Sequence, residues 1–259
     1  MLCAADPAEK VALSTVIAAA WRGGALAEIG RAAPPERPAR PARPELLPAR
    51  AMPKRRGGGS PAGRIALLHA LAHIELNAID LAWDMVARFA ADDLPRDFAH
   101  DWVGVAAEEA RHHALLATRL GELGAHYGDL PAHDGLWQAA QATAHDLLAR
   151  LAVVPLVLEA RGLDVTPDII ARLERLGDEA SAGVLRIIYA DEIGHVAVGR
   201  RWFEWLCARN SLPAAQTYQR LVRRYFRGEI KRPFNRAGRG AAGLDADYYE
   251  PLAAVPPPA

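Results

Sequence analysis

The sequence predicts an all-α fold: a four-helix bundle with a long crossover connection, preceded by an N-terminal helix and a Pro-rich arm and followed by an extra C-terminal helix. Three observations lead there. Four long segments carry apolar residues at helical spacing. Alanine is abundant, aromatic residues make up only 7% of the chain, and runs of β-branched residues are rare. The pattern Glu-x-x-His occurs twice, at Glu109 and His112 and again at Glu192 and His195. The expected organisation is one domain, in which residues 1–62 form the helix and arm, 63–210 the bundle, and 211–259 the C-terminal helix and an irregular tail.

At 259 residues the chain can bury a sizeable core. Its 31 basic and 31 acidic side chains cancel, but they are unevenly placed. Residues 31–64 carry nine Lys or Arg against two Glu, and residues 220–239 carry eight against one. Residues 65–219 carry twelve against twenty-two acidic groups, so two basic segments offset an acidic middle. Cys3 and Cys207 are the only cysteines, which excludes a disulfide framework and a Cys-rich metal knuckle and fits a reducing compartment. The apolar stretch 11–21 lacks the basic flank of a signal peptide, and no run approaches the roughly 20 apolar residues that span a bilayer. A cytoplasmic protein with no membrane partner is expected.

Residues 7–30 read as an amphipathic helix interrupted by Gly23 and Gly24 and ending at Gly30. Eight prolines from Pro34 to Pro61, with Gly57, Gly58 and Gly59, exclude regular structure of any length over 32–61 and leave an extended arm. The first strong helix runs from Gly63 to about Ala91. Its inward stripe holds Leu68, Leu71, Ala78, Ile79, Ala82, Val86 and Phe89, with Glu75 as the one charge among them. A lone carboxylate on a core face costs several kcal/mol unless something neutralises it, which points to a cation. His69 and His73 project about 240 and 200 degrees away from Glu75 and read as packing residues or partners of a ligand.

Residues 91–95 form a turn, and a second helix over 97–123 turns Trp102, Val105, Glu109, His112, Leu116 and Leu120 inward. Glu75 precedes Asp93 by 18 residues, and the middle of the Glu109/His112 pair follows it by 17 or 18. An antiparallel hairpin therefore puts all three side chains at one depth. Residues 124–135 form a loop that can reach roughly 40 Å, enough to run the length of a bundle. His126 and His133 within it read as bonding loop backbone.

A third helix is expected over 136–161, with Leu148, Leu151, Ala152, Pro155 and Leu156 on one stripe beside Glu159. Pro155 should kink or locally unwind it. After Gly162, the start Thr166-Pro167-Asp168 opens a short helix to Leu176, which carries the chain back to the depth of a fourth long helix. That helix runs from Gly177-Asp178 to about Arg209, with Leu185, Ile188, Glu192, His195, Val196, Gly199 and Trp202 inward. Glu159 precedes Glu192 by 33 residues, much as Glu75 precedes Glu109 by 34. Pro213 starts a fifth helix to about Gly228, residues 231–243 look irregular, and 254–259 should be disordered.

Residues three apart on a helix share a face, so each Glu-x-x-His presents a carboxylate and an imidazole to one point. Glu75, Glu109, His112, Glu159, Glu192 and His195 together give four carboxylates and two imidazoles from four helices. That set is the dinuclear carboxylate pattern of a ferritin-like bundle. Two divalent ions would neutralise the four carboxylates, and one imidazole per metal suits two iron ions, or manganese, better than zinc. Glu108 and Asp191 sit one residue before a ligand Glu and four before a ligand His, where a carboxylate can orient an imidazole through its free N–H. Tyr189, one turn before Glu192, can hydrogen-bond near the metal.

The stretches HALAHIELNAIDLAWD (69–84), DWVGVAAEEARHHALL (101–116), YGDLPAHDGLW (127–137), LEARGLDVTPDII (158–170), YADEIGHVAVGRRWF (189–203) and PFNRAGRGAAG (233–243) carry a resemblance. Over about residues 10–250 the chain resembles an uncharacterised bacterial ferritin-like family, known as a domain of unknown function. The resemblance implies the ferritin-like fold and the six ligand positions, and it carries no established activity. A more distant similarity, limited to the ligand pattern, is to the tRNA-hydroxylating di-iron monooxygenases. A rubrerythrin-like Cys-x-x-Cys module is absent from the sequence.

The expected function is an O2-activating oxidoreductase of the hydroxylase or oxygenase type, acting on a small-molecule substrate with electrons from an external reductase. A tRNA substrate would use the basic segments 31–64 and 220–239 for phosphate contacts, although docking of those segments on the acidic bundle is the favoured reading. The alternatives are an iron-handling ferroxidase and a manganese catalase-like protein. The substrate and the oligomeric state stay open.

Overall fold

The computed structural model describes residues 1–26, 28–30, 32–53, 59–90 and 93–253. They form α1 (Pro7–Arg22), α2 (Pro61–Phe89), α3 (Arg96–Glu122), α4 (Gly135–Ala142), α5 (Leu147–Val153), a π-helix (Val154–Glu159), α6 (Ala160–Arg175), α7 (Glu179–Arg209), α8 (Ala214–Tyr225), α9 (Arg236–Ala241) and α10 (Ala246–Tyr249). The fold is all-α. Among the described residues the only β pairing is two isolated bridges, Leu46 with Ala132 and Ile230 with Ala253. The chain forms two compact units, residues 1–138 with 173–184, and residues 139–172 with 185–259.

The first unit is built on α2 packed along α3, with α1 against α3. Ser60 caps α2 by accepting from Gly63 N, with Pro61 at the first helical position. Every residue from Glu75 to Met85 is buried, so α2 is covered on all sides rather than along one stripe. This helix is long and apolar enough to cross a membrane by length and composition, which corrects the expectation that no run comes close. Two-thirds of its apolar window is buried within the protein (67%), the character of a core helix.

The arm supplies part of that cover. Its backbone bonds to the N-terminus (Ala39 N to Leu2 O, 2.7 Å) and to the loop before α4 (Leu47 N to Ala132 O, 2.8 Å; Ala132 N to Glu45 O, 2.9 Å). Arg40 reaches Asp80 at 2.9 Å, and fully buried Lys10 of α1 reaches the same carboxylate at 2.6 Å. Burial pushes the Asp80 carboxyl up and the Lys10 ammonium down, against their mutual attraction. One α2 carboxylate thus ties down both the first helix and the arm.

Several expected boundaries move. The first helix ends at Arg22, and Gly24 turns the chain at φ +76° instead of letting it continue to Gly30. The arm holds one 3-10 turn, Ala49–Ala51. The expected 136–161 helix is broken at residues 143–146, where Asp146 caps α5 by accepting from Ala149 N at 3.1 Å. Buried Arg150 donates to Thr143 Oγ1 and to Ala140 O, binding the carbonyl end of α4. No break follows Gly162. A single helix, α6, runs from Ala160 to Arg175 straight through Pro167, in place of the short helix expected from Thr166.

Pro167 leaves the Leu163 carbonyl without its in-helix donor, and Asn235 Nδ2 supplies one at 3.0 Å. The same Asn235 caps α9 by accepting from Gly238 N, so the tail expected to be irregular over 231–243 contains a helix. Parts of the expected turn at 91–95 and of the arm at 54–58, and the expected disorder of 254–259, lie outside the described residues.

Candidate metal centre

Within the first unit, the register expected from the α2–α3 turn is the one observed. His112 Nδ1 lies 3.2 Å from Glu75 Oε2 across the helix pair and 3.3 Å from Glu109 Oε2 one turn away. Glu75 is 4% exposed, and Glu109 and His112 are fully buried. Each offers one ligand atom, and these atoms lie within 4.8 Å of one another. Burial alone would lower the His112 pKa, but hydrogen bonds and charge from Glu109 and Glu75 outweigh it and raise the value to about 11. Two buried carboxylates that converge on one imidazole call for positive charge between them. This buried acidic and imidazole cluster has the donor chemistry to hold a metal ion.

Glu159, Glu192 and His195 belong to the second unit. Glu159 is the last residue of the π-helix, and its Oε2 is shielded from solvent. The unwinding expected at Pro155 is thus realised as a widened turn, a device recurrent at functional sites. Tyr218 Oη of α8 donates to Leu156 O within this turn at 3.0 Å. On α7, His195 Nδ1 lies 3.6 Å from Glu192 Oε1, and the imidazole is 1% exposed. Glu108 and Asp191 are half-buried on α3 and α7. The Tyr189 hydroxyl accepts from Asn235 Nδ2 at 2.9 Å, which connects α7 to the start of α9.

The neighbourhood of Glu75 holds a polar cluster that sequence reasoning only half anticipated. His73 Nδ1 pairs with Tyr127 Oη at 2.8 Å, and His73 Nε2 lies 3.2 Å from His133 O. Gly128 N donates to His69 Nε2 at 2.9 Å, and His113 Nδ1 pairs with Ala72 O at 2.9 Å. Rings of His69, His73 and His113 all pack on Tyr127. His69 and His73 are thus packing groups that clasp the crossover loop to α2. Gly135 N donates to His133 Nδ1, and the backbone N–H of exposed His126 donates to Asp129 Oδ2 at 2.7 Å. The signal for the clasp was the i, i+4 spacing of the two α2 histidines opposite a loop tyrosine, which has no meaning until the loop's path is known.

The model of a family described as proteins of unknown function, DUF455, matches residues 3–250. An uncharacterised protein of Haemophilus influenzae is 43% identical over 199 residues, covering 73% of this chain and 69% of the relative. No solved structure matches.

Proposed function

The chain belongs to the DUF455 family of proteins of unknown function, and we propose from the chemistry of its two triads that it is a ferritin-like dinuclear iron protein. Its activity, in this reading, is the O2-dependent oxidation of a small molecule. The observation that carries the reading is the buried Glu75–Glu109–His112 triad, with ligand atoms within 4.8 Å of one another. Glu159, Glu192 and His195 repeat it at nearly the same sequence spacing.

The six side chains would hold two ions between them, with Glu108, Asp191 and Tyr189 at positions from which they steady the ligands. Iron, when bound, supplies the redox equivalents for O2 chemistry, and manganese fits the same donors. The chain's own part is to keep the carboxylates ionised, to hold the imidazoles at a fixed angle and to keep bulk water out. Two cysteines are too few for a built-in electron-transfer cluster, so electrons would come from a separate reductase. Arg37 and Arg40 of the basic arm already bind Asp134 and Asp80, which favours a small-molecule substrate over tRNA.

Metal analysis of the purified chain, then anaerobic reduction and O2 exposure, tests the reading. Two irons per chain, with a transient oxidised species and slow turnover without substrate, are expected. Mineral growth beyond two irons would instead assign iron handling, and rapid peroxide disproportionation with manganese would assign catalase chemistry. Metal content unchanged at two per chain in both Glu159→Ala and His195→Ala would overturn the ligand set.

A further inference from the structure

The π-helix borders a cavity of about 300 Å³ in the second unit. Val157 and Leu158 of the π-helix form one wall, and Phe226, Ile230 and Phe234 of the segment after α8 contribute the rest of its apolar lining. The volume is at the lower end of the range of small-molecule pockets, roughly 300 to 1,000 Å³. An aromatic ring with a short chain is the size of occupant that it fits.

Charged groups stand at the cavity as well. Arg161, Lys231 and Arg239 line it with Asp164 and Glu229, three cations against two anions. The deepest of these cancel, since buried Arg239 grips Asp164 through two bonds of 2.8 Å. Arg161 is 38% exposed, and its Nη1 donates to Asp164 Oδ2 at 3.3 Å, to Lys231 O at 2.9 Å and to Pro233 O at 3.3 Å, fixing the loop that walls the cavity. Lys231 is 65% exposed and only 3.8 Å from Glu229, a surface pair worth little. The surplus among these side chains is one positive charge, and Arg161 and Lys231 are the solvent-exposed cations of the set.

We infer that this cavity is a binding site for a small carboxylate with an apolar body, its ring or chain between Leu158 and the two phenylalanines and its anionic end toward Arg161 and Lys231. An uncharged apolar molecule would fill the same volume but leave the cationic side unanswered, and a strongly polar anion would lose its hydration against the phenylalanine walls with no hydrogen bonds to replace it. Val157 and Leu158 directly precede Glu159 in the π-helix. If the dinuclear reading holds, the occupant is its substrate class. The binding itself does not rest on that reading.

Calorimetric titration of the full chain with 3-phenylpropanoate and with its neutral counterpart 3-phenylpropan-1-ol, before and after chelation of metal, tests the site. The carboxylate is expected to bind at least tenfold more tightly than the alcohol, with or without metal. Lys231→Gln should weaken the carboxylate several-fold and leave the alcohol unchanged. Leu158→Trp and, from the opposite wall, Ile230→Trp should each cost at least tenfold, and circular dichroism identifies a variant that has not folded. Equal affinity for acid and alcohol overturns the proposal. So does binding that survives in both folded Trp variants but disappears with the metal, since the carboxylate is then a metal ligand. Failure of the metal reading would appear in metal content and leave this titration untouched.

Discussion

The bare backbone of Gly199 faces the ring of Pro155: a methyl group at Gly199 would lie 2.4 Å from Pro155 Cβ and 2.6 Å from its Cγ. The glycine lies one turn beyond His195 on α7, and the proline is the second residue of the widened turn that ends in Glu159. Close approach of these two backbones is what the missing side chain permits.

Gly199→Ala tests the balance of two opposing terms. Helix propensity favours Ala over Gly by about 1 kcal/mol in a helix interior, while overpacking against a rigid ring costs about 1–3 kcal/mol. At 2.4 Å the clash wins, so the variant should melt several degrees below wild type. In a Pro155→Gly background, where neither Cβ nor Cγ remains, the same substitution should become neutral or stabilising. A single variant that melts above wild type would show that the approach is looser than described.

His73 supplies a pH dependence. Burial foremost, and then the nearby charge of Arg40, hold its imidazole down to about 4. The folded protein therefore keeps His73 neutral where the unfolded chain, with an ordinary value of about 6.5, takes up a proton. The stabilisation is complete above about pH 6.5 and is lost as pH falls toward 4. At about 1.4 kcal/mol per unit, a few kcal/mol are at stake. Thermal melting from pH 7.5 to 4.5 should fall less steeply for His73→Gln than for wild type. Parallel curves would mean that His73 is protonated in the folded chain too.

Much of the first triad was legible because one short turn links its two helices: equal counts from Asp93 fix the depth of Glu75, Glu109 and His112. The second half resisted the same count. Gly162 and Pro167 are ordinary signs of a helix end, yet α6 passes through both because the freed Leu163 carbonyl finds Asn235, 72 residues away. A partner that distant leaves no local signature. Asp146 and Arg150, by contrast, could have marked the break before α5, since Asp at a cap position is a local signal. The arm misled in another way: proline excludes secondary structure, but it does not prevent Arg40 from pairing with the buried Asp80 carboxylate.

Under the proposed dinuclear reading, removal of metal should weaken the fold. A ligand present at about 1,000 times its dissociation constant stabilises by about 4 kcal/mol, and chelation withdraws that amount. Wild-type protein is expected to melt several degrees lower after chelation and to recover on adding iron. Glu109→Gln should bind less metal and respond weakly to the chelator, because Glu109 Oε2 and Glu75 Oε2 meet at His112 Nδ1. Release of metal without any change in melting would place the ion at a surface site.

Asn235 and Pro167 should prove energetically coupled. The Asn235 side chain accepts from Gly238 N at 3.0 Å and donates to Leu163 O at 3.0 Å and to Tyr189 Oη at 2.9 Å. Asn235→Ala removes the cap of α9 and also leaves Leu163 O with neither a helical nor a side-chain donor, so a loss of about 2–3 kcal/mol is expected. Pro167→Ala restores an N–H four residues after Leu163, and α6 can then satisfy the carbonyl itself. In that background Asn235→Ala should cost about 1 kcal/mol less, a coupling readable from a double-mutant cycle by urea denaturation. Strict additivity would show that Asn235 acts only as a cap and that Leu163 O finds water when the side chain is removed.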